Sequence, residues 1–169
     1  VNDPSATNRR LSFYIVSSDA NGNLQITNNT IKDNLRTWLQ SNKMMNDLLD
    51  IYDARIVNFG FDFKVMVDPT QDKIEVLARA MKRLKEVYME KMHIAEPFYL
   101  TSVFNTLNKV DGVIDTLEVK PKLLTGTGYN TAPISIEQLK SADGTYLKPP
   151  RNVVLEIKNF DKDIGGVAI

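Results

Sequence analysis

The 169-residue chain carries 21 Lys+Arg against 21 Asp+Glu, with one histidine and no cysteine. The missing cysteine excludes disulfides, thiolate nucleophiles and cysteine metal sites, and the zero net charge excludes a broad attraction to nucleic acid or an anionic membrane. The length is enough for a sizeable domain, and no apolar run approaches the roughly 20 residues of a membrane-spanning helix.

The opening VNDPSATNRR is polar and lacks the apolar core of a signal peptide. Residues 1–10 are expected to be a linker or a terminal tail, and the chain a fragment of a longer polypeptide cut in or near a linker. Leu11 to Ser17 is rich in strand formers, and Asn21-Gly22 supplies a tight turn back into a brief strand, Asn23 to Thr27. Thr30 followed by Asp33 resembles an N-cap, and Ile31, Leu35, Trp38 and Leu39 recur at helical spacing, which predicts a helix over 31–41. Met44 to Ala54 reads equally as helical turn or extended chain.

From Ile56 to Val67 the chain alternates, with Val57, Phe59, Phe61, Phe63, Val65 and Val67 apolar and Asn58, Asp62 and Lys64 between them. This is the pattern of a strand with one face buried and one in water. Asp68, Pro69 and Gln71 then read as the start of a helix carrying Ile74, Leu77, Met81, Leu84, Tyr88 and Met92 on one stripe. Pro97 interrupts it, and Leu100 to Leu107 predicts a shorter helix with Val103, Phe104 and Leu107 inward. After the turn at Asp111-Gly112, strands are expected over Val113 to Lys120, with Leu117 and Val119 inward, and around Val153, Leu155 and Ile157.

The order predicts an α+β fold, a two-layer sandwich with a mainly antiparallel sheet and helices on one face, and its spacing allows a ferredoxin-like split βαβ arrangement. The expected organisation is a single domain over 11–160, with a long loop at 124–150 and a C-terminal tail at 161–169. Loops of that length are commonly functional.

Candidate chemistry is sparse. His93 follows a helix end, where the macrodipole favours a histidine without further role. Thr125-Gly126-Thr127-Gly128 lacks the Gly-Lys-Ser/Thr and following helix of a phosphate loop. Asn159, Asp161 and Asp163 lack the glycine and closing glutamate of a calcium loop. Lys82, Arg83, Lys85 and Lys91 are interspersed with acids and read as a solvated face. Asp47, Asp50 and Asp53 converge only if their segment is helical. No catalytic, metal or cofactor-binding residue is assigned. Trp38, Met44, Met45, Phe98 and Tyr99 are the candidates for a protein interface, where methionine and aromatic side chains are favoured.

Three blocks, NLRTWLQSNKMMNDLLDIYDARIVNFGFDF, EPFYLTSVFNTLNKVDGVIDTLEVK and DGTYLKPPRNVVLEIKNFDKDIGG, together resemble the C-terminal region of the baseplate wedge protein of T-even-like contractile-tailed bacteriophages, in the baseplate J-like group. The resemblance implies a non-enzymatic structural part of the virion tail baseplate, made in the host cytoplasm. In that family two copies per wedge meet through their C-terminal regions and help close a ring around the tail tube and hub. The implied partners are a second copy and other baseplate wedge proteins, without nucleic acid, membrane or cofactor. A small-ligand or regulatory module, with the 124–150 loop as a lid, is the alternative, and an enzyme comes third.

Overall fold

The computed structural model describes residues 9–42, 47–131 and 133–169. It has the α+β class expected from the sequence, with a mixed sheet in place of a mainly antiparallel one. It divides into two compact units, Val1–Ala54 and Arg55–Ile169, which corrects the single domain expected over 11–160.

The first unit contains β1 (Arg9–Ile15), β2 (Ser17–Ser18), β3 (Leu24–Gln25), α1 (Asn29–Asn42) and β4 (Asp47–Asp53). The hairpin expected between Leu11–Ser17 and Asn23–Thr27 is confined to β2 and β3, while the Leu11 to Ile15 run pairs elsewhere; Gly22 is at φ 81 in the turn and Asp19 accepts from the Asn21 and Asn23 amides. β1 and β4 pair in parallel, Leu11 beside Leu49 and Tyr14 beside Tyr52, and parallel neighbours require a crossover such as the one that carries α1. The helix starts two residues before the expected one, because the Asn28 side chain accepts from the Thr30 amide and takes the capping role given to Thr30. Asp53 ties the unit together, accepting from the Thr27 amide at 3.3 Å and from Lys32 Nζ at 2.5 Å.

The second unit is built on β5 (Arg55–Val67). After it come α2 (Lys73–Tyr88), β6 (Phe98–Tyr99), α3 (Leu100–Leu107), β7 (Val113–Leu123), α4 (Ile136–Leu139), β8 (Tyr146–Leu147), β9 (Val153–Glu156), α5 (Phe160–Asp163) and β10 (Ile164–Ala168). β7 runs antiparallel along one edge of β5. β9 pairs in parallel with Arg55 to Asn58, and β10 in parallel with Phe61 to Val65. The amides of Arg55 and Val67 donate to Asn152 and Ile169, while the Asn58 carbonyl accepts from Leu124. Odd residues of β5 therefore face β9 and β10, which share one edge end to end, and even residues face β7. Residues 161–169 are thus part of α5 and the sheet, not a tail.

The alternation of β5 holds on one face. Val57, Phe59, Phe61, Phe63, Val65 and Val67 are buried against Val76, Ala80 and Leu84 of α2 and Val103 and Leu107 of α3. Phe98 completes this core, its ring 4.9 Å from that of Phe59 and 5.9 Å from that of Phe61. On the other face Asp62 and Lys64 are exposed as expected, but Ile56, Asn58 and Gly60 are buried. The connection after β7 and the end of α5 cover that half, as the Leu124 and Asn130 amides bond Asn58 and the Asp163 carbonyl lies over Gly60.

Three details differ from expectation. Asp68 accepts from both the amide and hydroxyl of Thr70, so a turn consumes it, and Asp72 caps α2 by accepting from the Ile74 amide. That start leaves Ile74 exposed, and the end of α2 at Tyr88 puts Met92 beyond the helix. In β7 the register slips twice, opposite Lys64/Val65 and Met66/Val67, so Leu117 and Ile114 bulge out and are exposed while Thr116 turns inward. The 124–150 stretch is anchored in its second half by Leu139 and Leu147, both in the core.

A side chain at Gly60 would overlap the Asp163 carbonyl. Gly60→Ala is expected to destabilise the protein by about 1–3 kcal/mol, the usual range for overpacking, whereas Lys64→Ala on the exposed stretch stays within about 0.5 kcal/mol. Urea denaturation of the two variants measures the difference.

Candidate functional site

α2 stops at Tyr88, and the chain that follows runs beside the outer edge of β9, where the Ala95 amide donates to the Val153 carbonyl at 2.8 Å. Ala95 sits at φ 62, a left-handed conformation that costs a residue with a side chain about 1–3 kcal/mol and is found at over-determined, functional segments. Between this segment, β6 and β9 lies a cleft of about 280 Å³. Its floor includes Tyr88, Phe98, Leu155 and Ile157, and its polar lining includes Lys91, His93 and Glu156.

Glu156 is the chemically notable residue of the cleft. Its side chain has no exposed surface, yet a carboxylate carries a large desolvation penalty that only partners offset. Neighbouring register puts it beside Asn58, whose Nδ2 donates to Oε2 at 2.9 Å, and Lys91 Nζ lies 3.3 Å from Oε1. Asn58 Oδ1 in turn accepts from the Asn130 amide at 2.7 Å. A continuous polar chain thus links the segment after α2, two neighbouring strands and the connection after β7.

At the cleft floor the Tyr88 hydroxyl is buried without a hydrogen-bond partner. Burial pushes the phenol above its usual range, and the hydroxyls of Thr106 and Ser102, near but outside hydrogen-bond geometry, offset this only in part. A second buried carboxylate, Asp163, accepts from two local amides, Lys158 at 3.0 Å and Asn159 at 2.7 Å, and from the distant Tyr129 hydroxyl at 2.5 Å. It fixes the turn that leads into β10. Its demand for a proton donor also pushes the Tyr129 phenol upward, partly opposed by Asn159.

The residues singled out from sequence scatter. Trp38 is 63% exposed on α1, Tyr99 is half exposed at the cleft rim, and Met44 and Met45 lie outside the described residues. Phe98 is a core residue, which removes it from the interface candidates, because its ring fills the space between β5 and α2. Asp50 and Asp53 do not converge, since β4 is extended and positions three apart face opposite sides. Asp50 lies 3.1 Å from Arg10 Nε and Asp53 binds Lys32. Asp161 pairs with Lys85, Arg83 with Glu86, and Lys91 with Glu156. Among the described residues no group of three or more His, Cys, Asp or Glu could hold a metal ion.

Sequence reasoning missed Asn58, Glu156 and Tyr88 as a cluster. One signal was present: Glu156 ends the otherwise apolar run Val153-Val154-Leu155, which is the composition of a strand buried on both faces. No protein-family model matches the chain, and no curated protein matches it.

Removing one partner of a buried ion pair strands the other charge, at about 3–5 kcal/mol when both are enclosed. Lys91 keeps 35% of its side chain exposed, so Lys91→Met is expected to cost less, about 1–3 kcal/mol, with part of the loss recovered in Lys91→Met/Glu156→Gln. A double-mutant cycle by chemical denaturation measures this coupling.

Proposed function

We propose that the chain is a structural, non-enzymatic assembly module of a contractile phage tail baseplate, the C-terminal part of a wedge protein, acting in the virion after synthesis in the host cytoplasm. Its partners in this reading are a second copy of itself and neighbouring wedge proteins. The carrying observation is the apolar surface of the first unit. Parallel sheets normally have both faces covered, and two strands alone are marginally stable. Yet in the β1–β4 pair Leu11, Tyr14, Leu48 and Tyr52 are exposed, and α1 buries none of its residues fully while presenting Ile31 and Trp38 to solvent.

Exposed apolar surface of this kind marks a contact with another chain. The mechanism is geometric: the second unit supplies a rigid part, and the first supplies surface that association removes from water. A symmetric contact would use the same patch on both copies. The order of the sequence blocks supports the baseplate assignment.

Size-exclusion chromatography with light scattering, run over a range of protein concentrations, tests this reading. The expected result is a mass above the 19.1 kDa of one chain that rises with concentration and returns to the monomer value in Trp38→Ser/Leu48→Ser. A strict monomer at every concentration would contradict self-association.

A further inference from the structure

We propose that the cleft at the end of α2 binds a guanidinium group, the side-chain chemistry of arginine. The inference is independent of the baseplate reading, since it rests on the second unit alone. Its first support is charge. Glu90, Glu96 and Glu156 line the cleft against Lys91 and His93, so carboxylates outnumber the lysine that faces them. An enclosed surface with excess negative charge recruits a cation.

The second support is shape and surface. The cleft is close to the lower end of the range for small-molecule sites, about 300 Å³, which suits a single planar side chain and excludes a large ligand. Tyr99, half exposed and packed on Tyr146 with ring centroids 5.5 Å apart, stands at the rim and offers the aromatic surface. A guanidinium is planar and weakly hydrated and stacks on aromatic faces, whereas an ammonium is compact and strongly hydrated.

The third support is hydrogen bonding. The buried Tyr88 hydroxyl has no hydrogen-bond partner and can accept from a guanidinium N–H. Glu156 is held from the cleft side by Lys91, a single point charge at 3.3 Å. A guanidinium offers a carboxylate two parallel N–H donors, which an ammonium cannot. Lys91 keeps 35% of its side chain exposed and has an open path to solvent, so its ammonium swings outward as the guanidinium takes its place. Lys91 is in this account a resident counter-ion of Glu156 while the cleft is unliganded. The strained Ala95 bonded to Val153 holds the wall in position for the exchange.

The guanidinium can come from an arginine within a polypeptide or from a free small molecule, and one experiment separates them. The ¹⁵N-labelled full chain is titrated with N-acetyl-arginine amide, with a Gly-Gly-Arg-Gly-Gly peptide and with N-acetyl-lysine amide, following amide shifts. Expected are saturable shifts at Tyr88, Lys91 and Glu156 for both arginine ligands, with the lysine compound weaker by about tenfold. Glu156→Gln, which keeps the side-chain shape, is expected to weaken binding by at least about tenfold, and Lys91→Met to tighten it by a similar factor. If Lys91→Met does not fold, Tyr88→Phe replaces it, with an expected loss of about threefold to tenfold. Tighter binding of the peptide assigns the source to a polypeptide, and equal binding assigns it to a small molecule; either supports the proposal. No saturable shift with either arginine ligand, unchanged binding in Glu156→Gln, or lysine binding as tight as arginine overturns it.

Discussion

The second unit depends on a single constraint, that β5 must satisfy both of its edges, one whole face and half of the other at once. A strand of 13 residues has more edge than one neighbour supplies here, and the chain solves this by giving the odd-residue edge to two short strands, β9 and β10, joined by the turn of α5. The core face fixes the register, because a slip of one residue would carry six buried Val and Phe side chains off the core and onto the opposite face. α2 and α3 then have one surface to cover, and Phe98 fills the space where they, β6 and β5 converge.

Covering the second face of β5 has a consequence. Where the connection after β7 lies over Asn58 and Gly60, polar groups that an open sheet would leave in water become enclosed, and each needs a partner. Asn58, Glu156 and Lys91 form one answer, Asp163 with the Lys158 and Asn159 amides the other. The two differ in kind. Asp163 is satisfied by the backbone of its own turn and by the Tyr129 hydroxyl from the connection after β7, which suits a structural anchor. Glu156 includes among its partners a lysine that remains partly in solvent, beside an unsatisfied tyrosine hydroxyl and a strained alanine, which suits a place where a ligand exchanges with the resident side chain.

How much of this was readable from the chain follows from what each pattern encodes. The period of two in β5 and the helical stripe of α3 reported burial directly, and the structure keeps Val103 and Leu107 inside. Which residue caps α2 was decided by competition between Asp68 and Asp72, and the Thr70 hydroxyl, which engages Asp68, settled it in favour of Asp72. Leu117 was misplaced because bulges shift the phase of an alternating pattern without changing its composition. The strand character of Ile164-Gly165-Gly166-Val167-Ala168 was hidden by two glycines, and the burial of Asn58 by a covering segment more than sixty residues away in sequence. The cleft was invisible for the same reason: its residues come from two stretches far apart in sequence, and only the fold brings Lys91 to Glu156.

The two units therefore read as different kinds of object, a self-sufficient core built on β5 and a small βαβ unit that leaves apolar side chains in water. The proposal is that the first unit, Val1–Ala54, is completed by association. Hydrogen–deuterium exchange at low and high protein concentration measures it most directly. The account predicts strong protection of the β5 amides at both concentrations, and protection of β1, β4 and α1 that increases with concentration. Protection of β1, β4 and α1 that is the same at both concentrations would contradict it.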